Sequence, residues 1–449
     1  MILICDARVV DPVTGTDMAS DILICGDKIT AVGAGILDGI NELMLEKAAA
    51  EEIESRSLTV INAQGLVAAP GLVDTHVHFR DPGFTWKEDI LTGAAAAARG
   101  GFTTVVCMAN TDPPVDDPET LRYVLDKGAG TGIHVLSAST LTAGMAGKEL
   151  TDLETMAGCG AAVFTDDGKC VTDEKLLLEG MKRAAALGIP VSLHEEDPLL
   201  VAAPGVNEGV VAEKIGYPGA SERAEQVMTA RDSILSMAAG ARICIQHVSS
   251  AGTIEIIRLA KKMGADIHAE AAPHHFSLTQ EAVLECGTNA RMNPPLRTEN
   301  DRLAIIRGLQ DGTIDMIATD HAPHSAEEKA KPMEQAPSGV VGLETALGAG
   351  IEALVKPGHI SLMKLLELMS TSPSRFLGRV PGSICEGAAA DIILFDENEY
   401  RTVDPKGFAS KSSNSPFIGK QLPGQVKYTI CAGKIVYRDE GAPLTEHKW

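Results

Sequence analysis

The sequence predicts an α/β fold, a TIM-type (β/α)8 barrel with a small β-sandwich domain formed by both chain ends. From residue 72 onward, eight short β-rich runs alternate with segments of helical apolar spacing, which is typical of parallel βα units. The residues before about 70 and after about 380 carry strand-and-turn patterns without this alternation. Eight parallel strands with intervening helices close into a barrel, and the two chain ends are left to form a separate domain.

The expected barrel strands, in order, are 72–79, 102–108, 133–137, 161–165, 190–194, 242–247, 265–270 and 314–319. Apolar residues at helical spacing separate them, for example in 88–99, 173–187 and 253–263. Within the N-terminal part, the Ala- and Glu-rich stretch 42–56 is interpreted as a helical surface insertion without a chemical role. The expected domain boundaries are 1–70 and 380–449 for the two parts of the small β domain, and 71–379 for the barrel.

Composition and charge exclude several classes of function. The net charge of −22 and the pI near 5.0 argue against nucleic acid or an anionic membrane as a partner, because both require a basic surface. No stretch approaches the roughly 18 consecutive apolar residues of a membrane span. The nine cysteines are scattered without a Cys-x-x-Cys pair, which favours reduced thiols over disulfides or a thiolate zinc site. We expect a soluble, cytoplasmic protein.

Two histidines at the end of the first barrel strand are the first candidate metal ligands. His76 and His78 lie two residues apart, so in a strand their side chains share one face and can bind the same ion. Arg80 continues this parity and would place a guanidinium beside the ion, suited to a substrate carboxylate.

Further ligand types stand at the ends of other predicted strands. Because the carboxyl ends of barrel strands converge on one face, polar residues there are candidates for a shared site. They are Asp166 and Asp167 after the fourth strand, His194 after the fifth, His247 after the sixth and Asp320 after the eighth. The four histidines His76, His78, His194 and His247, one aspartate of the adjacent pair and Asp320 could together hold two divalent ions.

These ligand types predict metal-assisted amide hydrolysis. Neutral imidazole and carboxylate suit zinc, and few protein ligands per ion leave room for a bound water. A hydroxide shared by two cations is a strong nucleophile, and the same ions polarise the carbonyl that it attacks. Asp320 is the candidate general acid/base, taking the proton of the water and returning it to the leaving nitrogen.

Other polar residues near the predicted barrel mouth are candidate substrate ligands. Asn110 and Asn293 would either orient an amide or carboxylate or cap a loop, and His324 could reach the substrate. Ser338 and Gly339 would either offer backbone groups to a planar ring or begin a helix. Packing or turn roles are expected for the remaining histidines near these strands, which are His268, His274, His275 and His321.

With these motifs in place, the chain resembles the amidohydrolase superfamily, and within it the type I bacterial dihydroorotases. The likeness spans nearly the whole length. The motifs that carry it are PGLVDTHVHFRDPG at 70–83, FTDDG at 164–168, PHHFSLT at 273–279, NPPLR at 293–297, TDHAPH at 319–324 and GLET at 342–345.

The resemblance implies reversible cyclisation of N-carbamoyl-L-aspartate to L-dihydroorotate, in the third step of pyrimidine biosynthesis. It implies a site with one or two zinc ions, two being favoured, a homodimer, and an aspartate transcarbamoylase as a partner. One zinc would be held by His76, His78, Asp167 and Asp320, and the other by Asp167, His194 and His247. Asp320 would be the proton shuttle, and the substrate would meet Arg80, Asn110, His324, Asn293 and the backbone of Ser338 and Gly339.

Two alternatives remain beside this interpretation. Dihydropyrimidinases, hydantoinases and many allantoinases use a carbamylated lysine at the end of strand four, where 161–165 has none and Lys169 lies beyond in the loop. An inert amidohydrolase-like scaffold subunit would have lost ligands, and this chain has not. The chain departs from the family pattern at Ala109, where proline is usual, at Ser338, where phenylalanine is usual, and in the 42–56 insertion.

Overall fold

The computed structural model describes residues 1–36 and 57–448. The strands, in chain order, are β1 (Ile2–Asp11), β2 (Thr16–Cys25), β3 (Lys28–Gly33), β4 (Ser57–Asn62), β5 (Val67–Pro70), β6 (Leu72–Val77), β7 (Phe102–Cys107), β8 (His134–Ser139), β9 (Val163–Phe164), β10 (Val191–Leu193), β11 (Ile243–Ile245), β12 (Ile267–Ala271), β13 (Met316–Ile317), β14 (Ile392–Asp396), β15 (Arg401–Thr402), β16 (Gln421–Leu422), β17 (Gln425–Cys431), β18 (Lys434–Arg438) and β19 (Thr445–Lys448). The predicted insertion at 42–56 lies outside the described residues.

The α-helices are α1 (Ile90–Arg99), α2 (Pro118–Ala129), α3 (Leu153–Gly158), α4 (Glu174–Leu187), α5 (Val210–Ile215), α6 (Arg223–Ala239), α7 (Ala251–Lys262), α8 (Pro273–Ser277), α9 (Ala282–Cys286), α10 (Glu299–Asp311), α11 (Ala326–Lys329), α12 (Ala346–Gly350), α13 (Leu362–Leu366) and α14 (Ser372–Phe376). Short 3-10 turns occupy Ala143–Met145, Gly287–Ala290 and Pro405–Gly407, and π-helical turns extend α12 over Ile351–Val355 and join α13 to α14 over Glu367–Thr371. None of the described helices is both long and apolar enough to cross a bilayer.

Strands β6 to β13 form an eight-stranded sheet in sequential order, and its registered pairs are parallel. The sheet nearly closes on itself, because the backbone N–H of His78 donates to the carbonyl of His321 at 2.8 Å. Asp74, buried on β6, accepts hydrogen bonds from the backbone and hydroxyl of Thr319 and strengthens this seam. The predicted barrel is confirmed, and each of the eight predicted runs overlaps one of these strands, although β8 and β12 extend two residues and one residue beyond the predicted ends.

Helix α4 illustrates how the sequence dictates the outer layer of the barrel. Asp173 caps its first turn by accepting the backbone N–H groups of Lys175 and Leu176. The buried residues Leu177, Met181 and Ala184 recur at spacings of four and three, so they form one apolar face. The helix ends at Gly188, whose left-handed conformation (φ +71°) favours glycine.

Both chain ends contribute to a second, nine-stranded mixed sheet, as predicted for the small β domain. Its main path runs β18-β17-β14-β5-β1-β2-β3, and β4 joins β1 and β19. Along the chain, the N-terminal part of this terminal sheet ends at Pro70 on β5, and the barrel begins at Leu72 on β6. The domain boundaries proposed from the sequence remain predictions.

Candidate metal centre and active site

The predicted ligands meet at the carboxyl end of the barrel. His76 is the penultimate residue of β6, His194 directly follows β10, and Asp167, His247 and Asp320 lie two or three residues beyond β9, β11 and β13. These side chains and that of His78 are buried. The convergence follows from the parallel strands, which present their carboxyl ends to a single face.

Four of these residues form a first group of ligand atoms. The Nε2 atom of His76 lies 3.3 Å from Oδ1 of Asp167 and 3.7 Å from Oδ1 of Asp320. The Nε2 atom of His78 lies 3.4 Å from Oδ2 of Asp167 and 3.2 Å from Oδ1 of Asp320. Two nitrogens and two carboxylates therefore surround one position.

A second group shares Asp167 with the first. The Nδ1 atom of His194 lies 3.0 Å from Nε2 of His247. These two nitrogens are 3.9 Å and 4.0 Å from Oδ1 of Asp167. The carboxylate of Asp167 consequently lies between two sets of ligand atoms.

These distances fit bound metal ions. Ligands about 2.0–2.2 Å from a tetrahedral ion lie roughly 3.3 Å from one another, close to the spacings in the first group. In addition, the buried Nε2 atom of His76 has no hydrogen-bond partner among the described residues. A buried nitrogen that faces two carboxylates without hydrogen-bonding to either is the arrangement expected of a ligand that needs a cation.

Two further residues orient the first pair of imidazoles. The Nδ1 atom of His76 lies 2.7 Å from Oε1 of Glu270, and Nδ1 of His78 lies 2.9 Å from Oδ1 of Asn110. In each ring a proton on Nδ1 would satisfy this contact and leave the Nε2 lone pair facing the carboxylates. The sequence reasoning missed Glu270. The signal was a carboxylate inside strand β12, whose other residues are apolar except for His268.

Asn110 contacts two of the predicted metal ligands, in addition to lining the predicted substrate site. Its Nδ2 group donates to Oδ2 of Asp167 at 3.0 Å, while its oxygen faces His78. It therefore fixes two ligand side chains relative to each other and also lines the cavity beside them.

The adjacent aspartates have different surroundings. Asp166 accepts the backbone N–H groups of Leu141 and Thr142 at 2.8 and 3.0 Å and also the Thr142 hydroxyl, so its carboxylate is committed to that loop. Asp167 is the member of the pair that lies among the histidines. Lys169, the lysine in the loop after the fourth barrel strand, instead donates a hydrogen bond to the carbonyl of Met145 at 3.4 Å.

Burial and charge fix the protonation of the centre in the absence of metal. Burial opposes ionisation of Asp167, yet His76, His78 and His194 hold its pKa well below its usual value. Burial also opposes protonation of His76, but Asp167 and Glu270 raise its pKa well above the ordinary value. The pKa of His247 is lowered by burial and by its histidine neighbours. Without metal, a protonated His76 thus faces an ionised Asp167, and a bound cation would replace the proton between them.

Backbone strain occurs at three of the site residues. Arg80, His247 and Asp320 have φ values of +59°, +32° and +47°, in the region that residues with a side chain rarely adopt. Such strain of order 1–3 kcal/mol per residue persists where the surrounding structure imposes it, and it concentrates at functional sites.

The ligands open onto a cavity of about 200 Å³. The predicted substrate-binding residues all line it, and they are Arg80, Asn110, Asn293, His324, Ser338 and Gly339. Of the predicted metal ligands, His76 alone is not in its lining. The cavity is large enough for a small ring beside the metal centre.

Arg80 presents a guanidinium to this cavity. Its Nε donates to the carbonyl of Pro323 at 3.3 Å. Among the described residues, no carboxylate oxygen lies within 4.0 Å of the guanidinium. A largely buried guanidinium without a carboxylate partner can donate hydrogen bonds to an anionic ligand.

His324 is held beside Arg80 as a neutral ring. Burial, Arg80 and Lys87 lower its pKa to about 2. Its Nε2 atom lies 2.8 Å from the carbonyl oxygen of Ser338, to which it donates. The ring therefore shapes the cavity wall and supports the Ser338 backbone.

Asn293 retains an unused hydrogen-bonding atom. Its Nδ2 group donates to Glu196, while its buried Oδ1 atom has no partner among the described residues. Glu196 also lies 3.7 Å from Nε2 of His194, so it connects the metal centre with Asn293. An amide oxygen placed in this way can accept an N–H group from a ligand in the cavity.

The Gly339 backbone is already engaged within the protein. Its N–H donates to the carbonyl of Arg291, and its own carbonyl accepts from Lys329 and Asn414 at 3.1 and 3.0 Å. A side chain at Gly339 would come within 2.7 Å of the Ala322 carbonyl, and its φ of +143° also favours glycine. Its prediction as a substrate ligand stays a prediction, and what the structure shows is a closely packed cavity wall.

Asn414 was missed by the sequence reasoning because it belongs to a C-terminal segment far from the barrel strands. Its Oδ1 atom accepts the backbone N–H of His324 at 3.0 Å, and its Nδ2 group donates to the carbonyls of Ala322 and Gly339. One amide thus holds three residues of the cavity wall.

The remaining histidines lie outside the cluster. His275 contacts the carbonyl of Pro294 at 3.0 Å, and His268 pairs with Asp315 at 2.8 Å. His321 packs edge-on against Phe79 and accepts the backbone N–H of Gly342.

Comparison with known proteins agrees with this geometry. A family profile described as Dihydro-orotase-like matches residues 65–253. The dihydroorotases of Clostridium acetobutylicum and Clostridioides difficile are 50% and 52% identical to the chain, over 98% and 97% of its length and 100% of theirs. The chain belongs to the dihydroorotase family.

This membership makes the protein an enzyme, a metal-dependent cyclic amide hydrolase. Among solved structures, L-hydantoinase (dihydropyrimidinase) from Arthrobacter aurescens is similar with a TM-score of 0.84 over 98% of this chain and 97% of that one. Its sequence identity of 23% shows a shared fold only.

Proposed function

We propose that this protein is a zinc-dependent dihydroorotase that interconverts N-carbamoyl-L-aspartate and L-dihydroorotate in the cytoplasm, for pyrimidine biosynthesis. The observation that carries the proposal is Arg80, a guanidinium that lines the cavity of the metal centre without a carboxylate partner among the described ion pairs. Dihydroorotate bears a carboxylate on its ring, and a planar guanidinium matches such a group in bidentate geometry.

We propose that His76, His78, Asp167 and Asp320 would hold one zinc ion and Asp167, His194 and His247 a second. Imidazole nitrogen and carboxylate oxygen are suitable donors for zinc, and the spacings fit tetrahedral ligands. When bound, such ions acidify a water and polarise the carbonyl that it attacks.

Side chains of the protein would bind the substrate and transfer the proton. Arg80 would hold the ring carboxylate and Asn293 would accept a ring N–H through its free oxygen, so the scissile amide faces the ligand cluster. Asp320 would take a proton from the attacking water and deliver it to the ring nitrogen as the amide bond breaks. In the direction of cyclisation, Asp320 would take the proton from the attacking ureido nitrogen and pass it to the departing carboxylate oxygen, which leaves as water with one further proton from solvent.

The alternatives predict different substrates. Hydantoin, dihydropyrimidine and allantoin rings offer Arg80 no ring carboxylate, and Asp167 stands where enzymes of that kind use a carbamylated lysine. An inert scaffold subunit is disfavoured because all six proposed ligands are present and adjacent. A homodimer and an aspartate transcarbamoylase partner remain proposals that rest on the family likeness.

A substrate panel tests the proposal. The zinc-loaded protein is given dihydroorotate, dihydrouracil, hydantoin and allantoin at equal concentrations, and ring opening is followed for each. We expect turnover of dihydroorotate to exceed that of the neutral rings by several orders of magnitude. Equal or faster turnover of a neutral ring would assign the protein to another cyclic amidase.

A further inference from the structure

His134, Asp391 and Cys431 form a second cluster of metal-ligating side chains, separate from the active-site cavity. His134 is the first residue of β8, at the end of the barrel opposite the metal centre. Asp391 directly precedes β14 and Cys431 ends β17, and both strands belong to the terminal sheet. The cluster therefore lies between the terminal sheet and the amino-terminal end of the barrel strands.

The ligand atoms of this cluster lie close enough together to contact one ion. The Nε2 atom of His134 lies 3.0 Å from Oδ2 of Asp391, and one ligand atom from each of the three residues lies within 4.8 Å of the others. Within the described residues, three groups of His, Cys, Asp or Glu satisfy this spacing, and the other two are the halves of the active-site centre.

The carboxylate of Asp391 is oriented before any ion binds. Its Oδ1 atom accepts the backbone N–H of Ala432 at 2.7 Å, which leaves Oδ2 directed toward His134. The Cys431 thiol is buried at 1% exposure and makes a weak 3.7 Å contact with the carbonyl of Thr103. The His134 side chain is 36% exposed and provides the route from solvent.

We propose that His134, Asp391 and Cys431 bind one Zn²⁺ ion, with water as the fourth ligand, and that this ion links the terminal sheet to the barrel. One imidazole, one carboxylate and one thiolate form a donor set that suits zinc and disfavours Mg²⁺ or Ca²⁺. Binding releases the thiol proton to solvent as the Zn–S bond forms, so affinity rises with pH. The spacing of cysteines along the chain gives no sign of this site, because its ligands come from three distant segments.

Cobalt substitution distinguishes this site from the catalytic one. The enzyme is stripped with a chelator and loaded with Co²⁺, and its near-ultraviolet absorption and bound cobalt are measured. A thiolate-to-cobalt charge-transfer band can arise only where sulfur is a ligand, and the proposed catalytic ligands are nitrogen and oxygen atoms. We expect the wild-type protein to show this band and to bind about one more cobalt ion per chain than Cys431→Ser.

The variants separate the cluster from other thiols and from activity. Cys431→Ser should lose the band while the zinc-loaded enzyme keeps its turnover, and Cys286→Ser, whose thiol lies against Pro416, should keep the band. His134→Gln changes a partly exposed residue, so it reports on the site even if Cys431→Ser fails to fold, and it should weaken cobalt binding at this site at least about tenfold. Absence of the band from wild-type protein at saturating Co²⁺ would overturn the proposal and leave a hydrogen-bonded polar cluster. A band that survives in Cys431→Ser, or an unchanged cobalt affinity of the sulfur-ligated site in His134→Gln, would do the same.

Discussion

The side-chain amide of Asn414 donates to the carbonyl oxygen of Gly339 at 3.0 Å and thereby connects the C-terminal part of the chain to the wall of the active-site cavity. The same amide accepts the backbone N–H of His324 and donates to the Ala322 carbonyl. Asn414 is thus a positioning residue, which acts on the substrate site through the backbone it holds.

Asn414→Asp keeps the shape of the side chain but replaces the donor with an oxygen facing two carbonyls. The Gly339 carbonyl keeps its hydrogen bond from Lys329, but the Ala322 carbonyl loses its donor, at a cost of about 1–3 kcal/mol. We expect the displaced cavity wall to lower kcat/KM roughly tenfold or more, mainly through KM, at unchanged metal content. Asn398→Asp is the matched control. Asn398 accepts a hydrogen bond from Lys356 through Oδ1, which an aspartate can also do, so this variant should retain full activity. An unchanged KM in Asn414→Asp would remove the residue from the positioning of the site.

Glu270 should control metal affinity without touching the ion. Glu270→Gln preserves the acceptor opposite Nδ1 of His76 but removes its negative charge. Residues that orient metal-ligating histidines typically contribute 10- to 100-fold in affinity, so we expect a loss of about that size. Zinc retained against a graded chelator measures it, and saturating zinc should restore most of the turnover. Equal zinc retention by variant and wild type would show that Glu270 only packs.

Arg80→Met should weaken substrate binding and spare the metal centre. The loss of a charge-assisted contact of about 1.5–3 kcal/mol corresponds to a roughly 10- to 100-fold fall in kcat/KM for dihydroorotate. Arg242→Met removes a surface guanidinium paired with Asp266 and should have no effect. If Arg80→Met loses zinc instead, the arginine is part of the structure of the centre.

Asp320→Asn tests the proposed proton shuttle. The amide cannot accept the proton of the attacking water, so kcat should fall by about 10² to 10⁴ in both directions. Zinc content must be measured beside the rate, because Asp320 is also a proposed ligand. A rate near that of wild type would exclude Asp320 from proton transfer.

The metal ligands could be predicted from the sequence because the barrel makes their positions regular. Once eight alternating strands are recognised, residues after the strand ends must converge, and His194 and His247 follow β10 and β11 as expected. The choice between Asp166 and Asp167 depends on which carboxylate the neighbouring loop binds, and strand pattern alone left it open.

The supporting residues could not be predicted in the same way. Glu270 contacts His76 across 194 positions and Asn414 contacts His324 across 90, so no local spacing connects them. Their roles depend on side-chain packing between distant segments, which periodicity does not report. The metal-ligating types at strand ends are therefore visible in the sequence, whereas the residues that orient them require the structure.

The most direct test of the central claim is the turnover of the purified, zinc-loaded protein with N-carbamoyl-L-aspartate and, separately, with L-dihydroorotate. Both reactions are followed to equilibrium, and bound zinc is measured in the same sample. We expect each compound to be converted into the other, with the same final ratio from either side. No conversion in either direction by protein that carries its metal would contradict the account.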